Sequence, residues 1–562
     1  MAQIEDPMKD LKWNGWGKKT VFFPAHSRPH LWTFIESKLG VKAIKQNLAT
    51  SIDRINLQDS LLNSEQLGFF KKFEFSIEKE MRLHHAYGKS FPDIFRARQG
   101  VFKKVPDAVV WPQSKEEIIL ILNYCMENKL TLIVYGGGTN IVGSLECLDI
   151  RPSISLNMQK MRKLISIDKV SQLAKFQAGV KGPDLEDQLQ EQGFCLGHTP
   201  DSFEFSTLGG WIATRSAGMQ SDEYGRIEDL VEGLSFVTTK GLWNFKDGHA
   251  KSAGPNWKEV ILGSEGTLGV IAEATVKVHH LPPYKKTVGF LFPDFQSAVL
   301  SLQECYHQRV LPSLCRIQDE DETELASHLR ESENGWQQGV RKLVKIYARS
   351  KGIRRPALVI CGFEGEKSEA SYRYKVVKKI FKETSKKSGH HFIFLGDSVG
   401  NKWSKDKYFT PYLRDYVMEY NLICDVAEST FSWHQIHHVY PVIKQNMKEF
   451  FLTKKIKGYL GCHLSHSYPS GACLYFTFAC DGGDTLQTLD LYYEIKKRMT
   501  DLFIDHGTSL SHHHAVGIDH QKWINQEWGP LGNSAFIKMK ELLDPSNILN
   551  PGKIYPTVVS KT

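Results

Sequence analysis

Nowhere in the 562 residues do two cysteines stand at C-x-x-C spacing, although ten cysteines are scattered along the chain. Their scatter argues against a zinc knuckle or a disulfide frame, and it suits reduced, mostly buried thiols in an intracellular compartment. No apolar run approaches ~20 residues, so no membrane-spanning helix is expected. The opening MAQIEDPMKDLKW lacks the basic-then-apolar layout of a secretory leader. There is no dense basic tract with interleaved aromatics, which speaks against nucleic-acid binding. Internal repeats and long low-complexity stretches are missing too. The charge imbalance is small: 71 basic against 63 acidic residues give +8. That surplus suits an anionic substrate or membrane headgroups, and an ordinary solvated basic surface equally well. With 41% hydrophobic and 24% charged residues, the chain reads as globular and long enough for two or more domains.

Glycine is concentrated in three places: Tyr135-Gly136-Gly137-Gly138-Thr139-Asn140, Pro200 to Gly218, and Gly263 to Ile271. Without a Cβ the backbone reaches positive φ and approaches a ligand closely, and such loops present N–H groups to phosphates. A tight turn explains one triple glycine about as well. Three such loops, two with serine and threonine hydroxyls in register, favour a dinucleotide site.

Residues 1–95 read as mainly helical, with Glu65 to His85 as an example. From Pro106 the pattern is strand (Asp107 to Pro112), helix opening at Ser114, apolar run Leu130 to Val134, then the triple glycine, an α/β unit with its ligand loop after a strand. A second α/β unit follows, with strands at Gln172 to Val180, Leu234 to Thr239 and Gly269 to Val278 and a helix opening at Gly182. After His279 to Pro283 strands and helices alternate as a second domain. Its last helix, Thr485 to His506, puts Leu489, Tyr492, Ile495, Met499 and Leu502 near one face before Gly507. Arg349 to Arg355 (RSKGIRR) reads as a surface loop, with membrane contact as the sharper alternative. The expected domains are 1–95, 96–283, 284–510 and 511–562.

Ser511-His512-His513-His514 is the most unusual short motif. On an extended segment neighbouring side chains alternate, so at most His512 and His514 share a face. No H-E-x-x-H or accompanying carboxylate set is present, and no metal is expected. A catalytic or phosphate-binding role suits imidazole, while a chance histidine run in a polar loop stays open. Arg316 and Arg414 are charges set among apolar neighbours, either forks for phosphate or carboxylate or ordinary salt bridges, for Arg414 with the region of Asp415. On the alternating strand Gly471 to Phe478, Tyr475 and Thr477 share one face and Leu474, Phe476 and Phe478 the other. Tyr475 is an acid–base candidate or a packed core tyrosine.

Together these segments resemble the FAD-binding vanillyl-alcohol-oxidase type flavoproteins and, more narrowly, the alkyldihydroxyacetonephosphate synthase (alkylglycerone-phosphate synthase) family. The stretches that carry the narrower resemblance are Lys12-Trp13-Asn14-Gly15-Trp16-Gly17, Tyr412-Leu413-Arg414-Asp415, Gly471 to Phe476 and Ser509 to Gly517. The resemblance implies an α+β fold with a two-part FAD domain and a substrate (cap) domain. It also implies exchange of the acyl group of acyl-dihydroxyacetone phosphate for a long-chain fatty alcohol, through a covalent intermediate at flavin N5. Tyr475 would then move the proton at the reacting carbon and Arg414 would hold the phosphate. Arg316, His512, His513 and His514 would support activity around the same pocket.

For non-covalent FAD the resemblance assigns Val134, Tyr135, Gly136, Gly137, Gly138, Thr139 and Asn140 in the first loop. In the second it assigns Asp201, Ser202, Phe203, Glu204, Phe205, Ser206, Thr207, Thr214, Arg215, Ser216 and Ala217, and in the third Glu265, Gly266, Thr267, Leu268, Gly269, Val270 and Ile271. The family further implies a homodimer in peripheral contact with the peroxisomal membrane, on its lumenal face. The terminal Ser560-Lys561-Thr562 approaches a peroxisomal address but lacks its leucine. An FAD-dependent 2-hydroxyacid dehydrogenase of the D-lactate type is the rival, because it shares the flavin domain and holds a small acid by arginine.

Overall fold

Local capping starts the first unit. The Ser114 hydroxyl accepts the Glu117 N–H at 3.2 Å, so the helix Lys115–Glu127 begins there and turns Ile118, Ile121, Leu122 and Cys125 inward. That helix is the crossover a parallel pairing requires. Thr131–Tyr135 pairs in parallel with Ser153–Asn157, which pairs in parallel with Ala108–Trp111. The computed structural model describes residues 8–245, 252–332, 335–387, 389 and 391–555. Ser560-Lys561-Thr562 and the first seven residues lie outside them.

Three expectations change. Glu65 to His85 is not one helix: Ser64–Phe70 and Lys79–His84 flank a strand, Glu74–Ser76, which pairs antiparallel with the Trp111 strand. Long-range pairing there overrides the local pattern. The second unit is antiparallel throughout, in the order Leu164–Asp168, Leu173–Gln177, Val270–Lys277, Val231–Thr238, Gly241–Phe245. Its Val237, Val270 and Ala272 join the core of the first sheet, which fuses the two into one body. Finally, the basic stretch at Arg349 is no simple loop, since its first two residues close the helix Gly335–Ser350.

The remaining chain forms a seven-stranded antiparallel sheet. Its order is Ile393–Gly396, Tyr284–Phe292, Ala357–Gly365, Leu314–Gln318, Gly458–Tyr468, Gly471–Asp481 and Leu422–Ser432. Helices that include Phe295–His307, Lys367–Lys387, Trp433–Thr453 and Thr488–Asp505 pack on one face over the largest core cluster. The last of these buries Tyr492, Ile495, Met499 and Leu502 as its spacing predicts, and Gly507 follows at φ 66°. The other face looks toward the glycine loops. The chain then returns to the first domain: Leu132 N–H donates to Ile548 O at 2.8 Å and Asn550 N–H to Leu132 O at 2.9 Å. All ten cysteines are free, nine of them buried. Among the described residues no helix is long and apolar enough to cross a membrane.

Candidate active site

The three glycine loops line one cavity of about 1880 Å³, larger than the ~300–1,000 Å³ usual for one small ligand. Close packing explains the glycines. A Cβ on Gly136 would overlap the Thr207 hydroxyl, and one on Gly137 the Phe205 carbonyl. Gly138 and Gly266 sit at φ 69° and 72°. The buried Glu265 pins the third loop to the histidine segment. Its carboxylate accepts the Ser144 hydroxyl and the N–H groups of Val516 at 2.9 Å and Gly517 at 3.1 Å.

Of the residues assigned to the cofactor, Val134, Gly136 through Asn140, Asp201, Ser202, Ser206, Thr207, Thr214, Ser216, Ala217, Glu265, Gly266, Gly269 and Ile271 line the cavity. The rest stand behind it. Tyr135, Leu268 and Val270 are buried beneath the loops, and Glu204 is exposed. Phe203 stacks on Tyr408, Phe205 meets Trp16 edge to face, Arg215 donates to Leu262 O, and Thr267 donates to Ser264 O. A dinucleotide fits a surface of this kind: crowded glycines with neighbouring hydroxyls, opening on a single space.

Strand register builds the opposite wall. Tyr475 lies directly between Glu428 on one neighbouring strand and His463 on the other. Its alternation is as read: Leu474, Phe476 and Phe478 enter the core, while Tyr475 and Thr477 line the cavity. The His463 ring stacks on Tyr475 with centroids 4.7 Å apart. Glu322 Oε2 lies 2.8 Å from His463 Nδ1, and Arg316 Nη2 donates to Glu322 Oε1 at 3.0 Å. Arg316 thus lines the cavity and also braces the ring beneath Tyr475. Although part of Tyr475 is open to the cavity, desolvation pushes its phenol well above its ordinary value, so it is a protonated donor at neutral pH.

The histidine segment does not alternate. It is a turn wrapped on the fully buried Glu428, whose carboxylate accepts the Ser511 hydroxyl at 2.8 Å and the N–H groups of His512 at 2.8 Å and of His513 and His514 at 3.1 Å. Burial opposes that charge. The His513, His514 and His512 rings and the Ser511 hydroxyl outweigh it and hold the carboxyl well below its usual range. In consequence His513 and His514 both face Tyr475, at 6.0 Å and 5.4 Å between centroids. His512 turns behind them, its Nε2 2.7 Å from the Tyr468 hydroxyl, and burial lowers it to about 3. Glu428, His463 and Glu322 escaped the sequence reading. The available signal for Glu428 was that it is one of two acids, with Asp425, inside the otherwise largely apolar strand Leu422–Ser432.

Arg414 stands on the helix Thr410–Met418 and lines the cavity. Its Nη1 donates to Lys89 O at 2.6 Å, while Nε and Nη2 are buried with no hydrogen-bond partner among the described residues. Asp415 Oδ1 is 3.8 Å away, too far to satisfy them. The next residue explains the other family segment: Trp16 N–H donates to Asp415 Oδ2 at 2.5 Å, and a Cβ on Gly17 would overlap the Tyr412 hydroxyl. Toward the other end of the seven-stranded sheet the cavity continues into an apolar wing lined by Leu291, Leu314, Leu358, Ile360, Val399 and Trp403.

The family model for an FAD binding domain matches residues 106–244, and that for the C-terminal domain of FAD linked oxidases matches 281–554. FAD is therefore the cofactor of this chain. The alkyldihydroxyacetonephosphate synthase of Dictyostelium discoideum is 36% identical over 98% of this chain and 94% of its own. That of Trypanosoma brucei brucei is 32% identical over 99% and 94%. A solved alkyldihydroxyacetonephosphate synthase superposes with a TM-score of 0.84 at 34% identity, covering 98% of this chain and 99% of the other. The fold alone is shared with p-cresol methylhydroxylase with substrate bound, at a TM-score of 0.61 and 13% identity over 89% and 98%. Kinship runs over nearly the whole length and takes in the Tyr475 strand, the Arg414 helix and the histidine turn, so the chain belongs to the alkyldihydroxyacetonephosphate synthase family of FAD-dependent enzymes.

Proposed function

We propose that this chain makes the ether bond of ether lipids. It would exchange the acyl group of an acyl-dihydroxyacetone phosphate for a long-chain fatty alcohol and release the fatty acid. The observation that carries the proposal is one cavity that holds the FAD loops, Tyr475 with His513 and His514, a half-unpaired Arg414 and an apolar wing. The reaction balances without net redox: the alcohol oxygen gains the dihydroxyacetone phosphate carbon and loses a proton, and the carboxylate leaves. Bound FAD would supply at N5 the group that holds that carbon during the exchange.

The chain's own residues would do the rest. Arg414 offers the phosphate the N–H groups that Lys89 leaves free. The Tyr475 hydroxyl gives and takes the proton at the reacting carbon, with the neutral rings of His463 and His514 as acceptors nearby. The apolar wing accommodates alkyl chains and excludes water from the exchange. A small 2-hydroxy acid would need no such wing, which counts against the D-lactate rival.

Peripheral membrane contact belongs to the same proposal. The helix Gly335–Ser350 exposes Trp336, Val340, Leu343 and Tyr347 along one stripe, beside the basic Lys342, Lys345 and Arg349. Trp336, Val340 and Val344 also line the cavity, so a lipid could pass from bilayer to site along this helix. Family membership supports a homodimer on the lumenal face of the peroxisomal membrane; chromatography with light scattering and organelle fractionation test those two points.

The deciding experiment is exchange of labelled hexadecanol into palmitoyl-dihydroxyacetone phosphate by the yellow, FAD-loaded protein. Absence of exchange with FAD bound overturns the proposal, and anaerobic bleaching of the flavin by D-lactate would favour the dehydrogenase instead. Flotation with anionic vesicles tests the membrane contact, which Leu343→Glu should weaken.

A further inference from the structure

His466 and Cys473 take no part in the chemistry above, yet they meet His512 and His513 in one cluster. One ligand atom from each of the four lies within 4.8 Å of the others. Strand register brings the first two together, since His466 and Cys473 are direct partners on neighbouring strands. The turn on Glu428 brings the other two. His466, Cys473 and His512 are buried and His513 is half-buried. The nitrogens His512 Nδ1 and His513 Nδ1 face each other at 2.8 Å, two basic atoms with room for one proton between them.

We propose that these four side chains form an inhibitory site for a borderline-soft divalent transition metal of the Zn²⁺ class, held tetrahedrally by three imidazoles and the Cys473 thiolate. Bonds of about 2.0–2.1 Å to nitrogen and 2.3 Å to sulfur place tetrahedral ligand atoms about 3.3–3.6 Å apart. Closing the cluster therefore takes side-chain rotations of roughly 1 Å rather than a new fold. The donor set is soft enough to select zinc over magnesium or calcium.

Several features prepare the site. His466 Nε2 donates to the Gly218 carbonyl at 3.0 Å and His512 Nε2 lies 2.7 Å from the Tyr468 hydroxyl, while His466 Nδ1 accepts the Ser465 hydroxyl at 2.8 Å, so a metal bound through that nitrogen displaces Ser465. Outer partners of this kind orient ligating imidazoles. Binding replaces the Cys473 S–H bond with a metal–sulfur bond and releases one proton to solvent. Glu428 Oε2, 3.7 Å from Cys473 Sγ, offsets the charge that remains on the ion. A filled site fixes the His513 ring beside Tyr475 and takes one of its nitrogens out of proton exchange.

The test uses the untagged, FAD-loaded full chain, stripped with a chelator, desalted and titrated with Co²⁺. One equivalent should give the visible bands of tetrahedral cobalt beyond the flavin absorption, together with a thiolate-to-cobalt charge-transfer band. Cys473→Ser, checked for retained flavin, should lose the charge-transfer band and weaken binding at least tenfold. X-ray absorption of the unmodified protein loaded with zinc should find one sulfur and three nitrogens per ion, which decides the matter even if the variant misfolds. No tetrahedral band, an unchanged charge-transfer band in Cys473→Ser, or zinc without sulfur overturns the site. Zinc should also inhibit alcohol exchange, with chelator restoring it; binding without inhibition overturns the inhibitory role. The spectroscopic arms do not depend on the exchange reaction, so failure of that reading and failure of the metal site are distinguishable.

Discussion

Tyr475 and His513 lie ring to ring, their centroids 6.0 Å apart and their planes 15° from parallel. The two residues reach this position from a β-strand and from a turn folded on a buried carboxylate. Their pairing places a proton donor beside an imidazole at the wall of the flavin cavity.

Tyr475→Phe removes one hydroxyl and leaves the rings packed. FAD should stay bound, seen in the flavin absorbance, while alcohol exchange falls at least ~100-fold, the scale of one acid–base group. Substantial remaining turnover would remove Tyr475 from proton transfer.

Arg414→Lys replaces a planar fork by a point charge. The loss of hydrogen bonds to a charged group costs about 1.5–3 kcal/mol, which is a ~10–150-fold weaker hold on the phosphate. Steady-state kinetics should put the effect in the KM for acyl-dihydroxyacetone phosphate. An unchanged KM would show that the phosphate sits elsewhere.

Glu428→Gln turns an amide group toward the N–H donors of the histidine turn. One or two hydrogen bonds should be lost at about 1–3 kcal/mol each, lowering the thermal midpoint. Exchange should fall with it, because His513 and His514 lose their support, while flavin content holds. A variant as stable and as active as the parent would show that the turn holds itself.

Gly137→Ala tests the cradle. Its Cβ would overlap the Phe205 carbonyl, so the first two loops must part. The purified variant should carry substoichiometric FAD, measured by absorbance after denaturation. Full flavin content would mean that the loops tolerate the shift.

Acid should erode the benefit of burying His512. Its folded value of about 3 is below the ordinary 6.5, so its contribution is present above pH 6.5 and is lost as pH falls through that window toward 3. Buried carboxyls such as Asp222, raised to about 7, oppose this trend in the total stability. The comparison with His512→Asn cancels them. Denaturant curves of parent and variant should converge as pH drops from 7 to 4, and a constant gap would contradict a buried neutral imidazole.

Much of the nucleotide half was legible because its signals are local. Ser114 caps a helix within four residues, and in the substrate half the alternation around Tyr475 is equally local and shows which side chains leave the core. The substrate half was legible mainly through family resemblance. Arg316 is a case in point: the sequence offers a phosphate fork or a salt bridge, and the structure pairs it with Glu322 and the His463 ring while leaving it on the cavity wall. The alternation argument failed at His512 to His514 because it assumes an extended segment, and Glu428 gathers that segment into a turn.

The sequence by itself pointed to a dinucleotide site through three glycine loops with neighbouring hydroxyls, and it marked Tyr475, Arg414 and the histidine triplet as the residues to watch. Only the tertiary structure decided what surrounds them. Glu428 and His463 flank Tyr475 through antiparallel register, and Trp16 reaches Asp415 across 399 positions of chain. Pairings of that kind depend on how distant segments are brought into contact, and no local spacing encodes them.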